Sequence, residues 1–263
     1  MHLLPLFFLN PIPSFSVINP YYLNNNKAIF QITDNVFFLE SSVLNILSFD
    51  LYYGINRNVL LYALLPYLFF NNFITDGVIG DVNLAIKFLL EKDFYEKWSL
   101  SFISIFQIPT GVIKEDSFRY VDGNRVSFYP FSKGVFSLTP GILFNYFLEP
   151  VMIWVSLFYC SENSREENIL NFNNSYDRIE ATLAFDYLFE LKNFSLFYKP
   201  EISLKYVYNI SDIKCVSDGL YLSLRNMVKI FNTLRVKFNF LLPVLPQDKL
   251  YGFSLEASFS VEF

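Results

Sequence analysis

The chain has 263 residues, of which 53% are hydrophobic, 20% aromatic and only 17% charged, with a formal net charge of −5. Soluble domains carry about 25% charged residues, so much of this surface is not built for water. The acidic balance also argues against nucleic-acid binding, which shows a basic patch.

The longest apolar run, Val59 to Phe70, has twelve residues and contains Pro66. A transmembrane helix needs about 18 or more. Elsewhere a polar residue interrupts every second or third position, a spacing that suits strands. In lipid every backbone donor and acceptor must be paired, so strands cross only as a closed barrel.

In chain order, residues 1–20 come first. Leu3 to Leu9 resembles a short apolar core of a signal peptide, and Ser14-Phe15-Ser16 a small-residue cleavage site. No Lys or Arg precedes them, so the segment reads as a degenerate signal segment; the alternative is a lead-in held by Pro5, Pro11, Pro13 and Pro20. Residues 21–263 read as one barrel domain. Alternation and turn chemistry predict strands over 28–39, 43–53, 59–69, 78–90, 98–109, 134–147, 151–160, 177–191, 194–208, 219–231, 234–242 and 250–263. Twelve is an even number, as bacterial barrels normally have.

Connections are short at 54–58, 91–97, 148–150, 192–193 and 232–233. They are longer and polar at 70–77, 110–133, 161–176, 209–218 and 243–249. Only the first hairpin, near Glu40 to Ser42, breaks the alternation. Short periplasmic turns and longer extracellular loops are the expected asymmetry. The fold class predicted is therefore all-β, a transmembrane antiparallel β-barrel of the bacterial outer membrane.

Facing residues give a second test. A hairpin through Lys192-Asn193 sets Asp186 opposite Lys199 and Glu180 opposite Lys205. The turn at 91–97 sets Asp81 opposite Gln107 and Lys87 opposite Ser101. The loop at 243–249 sets Lys237 opposite Glu256. Opposite charges across a strand pair are worth ~0.2–1 kcal/mol each. A Lys or Arg on the lipid face costs ~2–4 kcal/mol at the midplane. The charged stripe must then face the lumen. Tyr221, Ser223, Arg225 and Lys229 match Arg235, Lys237 and Asn239 only through an odd-length turn or a bulge near Asn232, and Asn226 is left on the outer face. The predicted pore lining is Asp81, Lys87, Gln107, Arg178, Glu180, Asp186, Lys199, Glu201, Lys205, Arg225, Lys229, Arg235, Lys237 and Glu256.

Tyrosine and tryptophan collect at membrane–water interfaces. Tyr52, Tyr53, Tyr62, Tyr67, Tyr146, Tyr159, Tyr187, Tyr206, Tyr208 and Tyr251 sit near predicted strand ends, and Trp98 opens a strand. The last strand alternates from Tyr251 to Phe263 without a break. It exceeds the ~9–11 residues a tilted strand needs to cross. Its aromatic end, Phe263, is expected to meet the outer-membrane insertion machinery.

Three segments carry a family resemblance. Tyr53-Gly54-Ile55-Asn56-Arg57-Asn58-Val59 leads to Leu65-Pro66-Tyr67. Gly77 to Phe88 follows, with Gly80-Asp81 and Lys87, and then Ile108-Pro109-Thr110-Gly111. In that order and spacing they resemble the outer-membrane transporter-like family named for the meta-pathway of phenol degradation, over residues 45–145. The resemblance implies a barrel transporter. Strand pairing would make Gly80-Asp81 and Pro109-Thr110-Gly111 neighbours at the extracellular rim. Asp81 and Gln107 then either form a mouth or fix loop 110–133.

His2 is the only histidine, which leaves no Ser-His-Asp or Cys-His machinery. Cys160 and Cys215 are the only cysteines and form no zinc-ligand set; a disulfide between them is compatible with an oxidising envelope compartment. No enzyme activity, metal or cofactor is expected. The expected partners are the lipid bilayer and small solutes. Two functions compete. One is a passive channel or facilitator for small solutes, with inward Ile103, Ile105, Leu188 and Phe197 admitting hydrophobic or aromatic ones. The other is a structural or adhesive surface barrel, plugged by its own ion pairs, whose loops 110–133 and 161–176 bind partners.

Overall fold

The computed structural model describes residues 26–38, 43–70, 78–93, 97–111, 118–121, 124–127, 136–163, 176–191, 196–210, 219–230, 234–245 and 254–263. The predicted signal segment at 1–20 lies outside them. Every regular element among the described residues is a strand. They are β1 (Ala28–Phe38), β2 (Val43–Asn56), β3 (Val59–Phe70), β4 (Val78–Ile79), β5 (Val82–Lys92), β6 (Trp98–Ile108), β7 (Phe118–Val121), β8 (Asn124–Ser127), β9 (Phe136–Leu148), β10 (Val151–Asn163), β11 (Tyr176–Tyr187), β12 (Phe189–Leu191), β13 (Leu196–Asn209), β14 (Gly219–Ile230), β15 (Leu234–Leu245) and β16 (Ser254–Glu262).

Each strand pairs antiparallel with its neighbour in the order β1, β2, β3, β5, β6, β9, β10, β11, β13, β14, β15, β16. β16 then pairs with β1, from Ile29 opposite Glu262 to Phe37 opposite Ser254. Backbone bonds of 2.9 and 3.0 Å between Ala28 and Phe263 finish that seam. The sheet has no free edge, which is what crossing a bilayer with strands requires. β4 extends the β5 span past a break at Gly80-Asp81, and β12 extends the β11 span past Leu188. The barrel has twelve crossings, as the alternation predicts.

The predicted alternation of short and long connections also holds, with the 192–193 turn lengthened to 192–195 and the 232–233 turn to 231–233. Short links fall at 57–58, 93–97, 149–150, 192–195 and 231–233, all at one end. One of the two two-residue links, Arg57-Asn58, follows a bulge between Gly54 and Asn56. There the Asn58 backbone N–H donates to Asn56 Oδ1 at 2.8 Å, a side chain standing in for a turn. The long link after β6 holds the β7–β8 hairpin, which the sequence pattern does not reveal.

Successive side chains alternate between faces. Phe30, Leu51, Phe144, Leu157, Phe185, Leu204 and Phe259 point outward and are exposed, forming the belt that meets acyl chains. Asn226 is on this face too, and the Tyr198 hydroxyl donates to its Oδ1 at 2.7 Å. Asp34, in the middle of β1, is exposed on the same face between Leu47 and Ala257.

Inside, Leu60, Leu64, Ile103, Leu143, Trp154 and Phe158 belong to one buried apolar cluster. They come from β3, β6, β9 and β10, where the interior wall is most apolar, with Lys87, Ser101, Gln107, Asn145 and Ser156 buried among them. Gly141 makes room for this cluster. A Cβ there would lie 2.2 Å from the Phe158 ring, which faces it across the strand pair.

Tyr52 and Tyr62 do not join the interfacial belt. They are 6% and 3% exposed, inside the barrel, with ring centroids 4.8 Å apart. Both share the inward face of Ser48, Asp50 and Leu60, and the strand period leaves them no other place. Tyr53, Tyr146, Tyr159, Tyr187, Tyr206 and Tyr208 are exposed on the outside as expected. Tyr251 lies outside the described residues.

Candidate lumen site

All fourteen residues predicted to line the lumen fall on the inward face of their strands. Asp81, Lys87, Gln107, Arg178, Glu180, Asp186, Lys199, Glu201 and Lys237 are buried. Lys205, Arg225, Lys229, Arg235 and Glu256 are half-buried. The ion pairs concentrate on β11 through β16, with buried polar residues continuing onto β1 and β2, whereas Asp81, Lys87 and Gln107 stand among the more apolar side chains across the barrel.

The charges meet along diagonals. Asp186 faces Glu201, not Lys199, and Lys205 faces Thr182, not Glu180. Both register assignments are off by two residues, because the connection at 192–195 is longer than a two-residue turn. The expected partners still touch. Lys199 Nζ forms an ion pair with Asp186 Oδ2, and Lys205 Nζ lies 3.0 Å from Glu180 Oε2. Diagonal neighbours stay within reach of long side chains. Arg178 closes on Glu180 at 2.7 Å and Arg225 on Glu201 at 3.2 Å. Of the two carboxylates that face each other, Asp186 thus has Lys199 as its cation and Glu201 has Arg225.

The same shift of two recurs elsewhere. Asn83 faces Gln107 and Ile103 faces Lys87. Ser258 faces Lys237 and Asn239 faces Glu256. Gln107 Nε2 nevertheless donates to Asp81 Oδ2 at 3.1 Å. The β14–β15 prediction holds directly. The connection at 231–233 has odd length, so Arg225 faces Asn239 and Lys229 faces Arg235.

The rim is built as the spacing of its motifs implies. Gly111 donates its backbone N–H to Asp81 Oδ1 at 3.1 Å, and Val82 N–H donates to Thr110 Oγ1 at 3.0 Å. Asp81 and Thr110 between them satisfy backbone groups that the break at Gly80-Asp81 leaves outside the ladder. Ser137 Oγ donates to Gln107 Oε1 at 3.3 Å, extending the rim to β9.

Sequence inspection missed the network at the closing seam. Asp50 is fully buried. It accepts from the Tyr62 hydroxyl at 2.7 Å, from Thr33 Oγ1 at 3.1 Å and from Gln31 Nε2 at 3.2 Å. Lys237 Nζ, on β15, reaches over β16 to donate to Gln31 Oε1 on β1 at 2.9 Å. Ser258 and Ser260, small inward residues of β16, leave room for that reach. The signal was present as inward Gln31, Thr33 and Asp50 on β1 and β2.

A second cluster sits at the short-turn mouth. Glu262 Oε2 takes Arg235 Nη2 at 2.5 Å and lies 4.0 Å from Lys229 Nζ, while Glu262 Oε1 lies 3.5 Å from Lys27 Nζ. Cys160 is inward and buried, and Thr139 Oγ1 donates to its Sγ at 3.1 Å. Its suggested disulfide partner, Cys215, lies outside the described residues. Among the described residues, no group of three or more His, Cys, Asp or Glu is placed to hold a metal ion.

Comparison with solved structures places the architecture. The COG4313 outer membrane channel from Pseudomonas putida F1 superposes with a TM-score of 0.69 over 93% of this chain and 98% of that one, at 10% identity. This is an outer-membrane β-barrel. The NanC porin aligns with a TM-score of 0.57 over 89% of this chain and 98% of that one, at 8% identity. The KdgM porin gives 0.52 over 89% and 99%, also at 8% identity. At such identities the likeness is one of fold. No family model matches the chain, and no curated protein matches it by sequence.

Proposed function

We propose that this barrel is a passive channel or facilitator for small solutes, akin to the family whose motif series it carries at residues 45–145. One observation carries the reading: a charged stripe lies inside a closed barrel and extends from the rim at Asp81 and Gln107 to the mouth at Arg235 and Glu262. Polar lumens serve water-soluble cargo, as the water-filled channels of porins do. The more apolar side opposite gives a solute a second kind of wall, which suits partly hydrophobic or aromatic molecules. The fourteen charged and polar residues from Asp81 to Glu256 on the inward face are the proposed lining.

A second reading has one observation in its favour. The Lys199 and Asp186 side chains, at 7% and 2% exposure, are paired and almost wholly covered. Paired charges of that kind could occlude the lumen and leave the loops to bind partners. Reconstitution into planar bilayers separates the two. Discrete single-channel steps are expected; a correctly folded barrel that gives no steps in any salt would leave the plugged surface barrel as the better account.

A further inference from the structure

The β14–β15 hairpin carries four charges, Arg225, Lys229, Arg235 and Lys237, and no acidic residue. All four point inward. Lys229 and Arg235 face each other directly at the short-turn mouth, an arrangement that is unfavourable for like charges unless an anion sits between them. Glu262 supplies one anion, yet Lys27 converges on it as well. Three cations converge on this one side-chain carboxylate, so cationic side chains outnumber acidic ones there. The next acidic residue along this row, Glu190, is separated from Lys229 by Phe197.

This cluster is also wetter than the pairs deeper in the barrel. Lys27 and Lys229 side chains are 45% and 25% exposed, against 7% for Lys199. Apolar groups border it closely. Phe197 faces Lys229, Met227 faces Lys237, and Ile29 faces Glu262. Charge and grease therefore alternate over a few ångströms.

We infer that the short-turn mouth binds small organic anions with an apolar body, the carboxylate lying between Lys229 and Arg235 and the body against Phe197 and Met227. The inference deepens the channel reading by naming a class of cargo, and it rests on that reading only for passage, not for binding. Arg235 shares its guanidinium between Glu262 and the incoming anion, and Lys229 supplies the second contact. Neutral and cationic solutes of the same size lack the head-group contact. Acetate lacks the body.

The chain has three methionines, Met1, Met152 and Met227, and Met152 belongs to the apolar cluster, on β10, three strands round the wall from β14. The test uses the refolded full chain in lipid nanodiscs with 13C-labelled methionine methyls. Hexanoate is expected to move the Met227 resonance saturably while Met152 stays in place, and hexanol at equal concentration to leave Met227 unmoved. Lys229→Glu should abolish the shift, and Lys229→Gln should weaken it. Among the described residues the ion pair of Lys229 is a 4.0 Å approach to Glu262, so both variants should fold, which heat-modifiable gel mobility checks. A Met227 resonance indifferent to hexanoate in the folded wild type, or a shift that survives Lys229→Glu, overturns the site. Bilayer currents on the same preparation keep the readings apart. Steps without a Met227 response leave the channel and remove the site; a Met227 response without steps does the reverse.

Discussion

Lys205 Nζ lies 3.0 Å from Glu180 Oε2, although Lys205 faces Thr182 across the strand pair and Glu180 faces Val207. The bond runs diagonally over the inner surface, with Arg178 on the other side of the same carboxylate at 2.7 Å. Removing one member of such a buried pair leaves a charge without its full compensation, at a cost of roughly 3 kcal/mol. Lys205→Met should therefore destabilise the barrel by about that much, and the triple variant Lys205→Met/Glu180→Met/Arg178→Met, which strands no charge, by clearly less than the sum of the three single variants. Urea unfolding in lipid vesicles measures all four. Losses that simply add would show that the diagonal cluster is not coupled.

The Asp50 network makes a separate prediction. Asp50→Leu leaves the Tyr62, Thr33 and Gln31 donors without their common acceptor, and a buried unsatisfied donor costs about 1–3 kcal/mol. Gln31→Leu breaks the tie to Lys237 as well. Hydrogen exchange should speed up in β1 and β16 for Gln31→Leu, with little change in β9 and β10. Uniform acceleration around the barrel would mean that the network has no special hold on the seam.

Gly141 is under steric rather than conformational constraint. Alanine there would place its Cβ against the Phe158 ring, and overpacking of this kind costs about 1–3 kcal/mol. Gly141→Ala should lower stability in the same urea assay. Adding Phe158→Leu should recover part of the loss, since a smaller side chain frees the space. If alanine is tolerated with Phe158 in place, the ring has another position available.

Asp34 is a carboxylate on the face that meets lipid, in the middle of β1. Acidic residues there cost less than the ~2–4 kcal/mol of a midplane Lys or Arg. Asp34→Val should raise stability in vesicles by up to about 2 kcal/mol. An unchanged or lowered stability would show that Asp34 has a favourable contact in the bilayer.

Much of this fold was legible because the strand period is two. Shifting a pair by two residues changes every facing partner and leaves every face as it was. That is why Asp186 and Lys199, Glu180 and Lys205, and Asp81 and Gln107 all ended on the inner wall and in contact, while the directly facing residues were misassigned. Turn length sets register, and the composition around 192–195 does not fix it. The more apolar side of the lumen was hidden for a different reason. β3, with Leu60, Leu64 and Leu65, is apolar on both faces, so alternation carries no information there. Tyr52 and Tyr53 illustrate the same limit: adjacent and chemically alike, they point in opposite directions. The mouth cluster escaped notice because Lys27 precedes the first strand and Glu262 ends the last.

Lys237 and Gln31 are 206 positions apart in the chain. Every hairpin from β2 to β15 can be in place while this bond is still missing, since it exists only when the last strand has docked beside the first. Its formation is therefore a molecular signature of completed closure, separating a finished cylinder from a curled ribbon that shares nearly all of its local pairing.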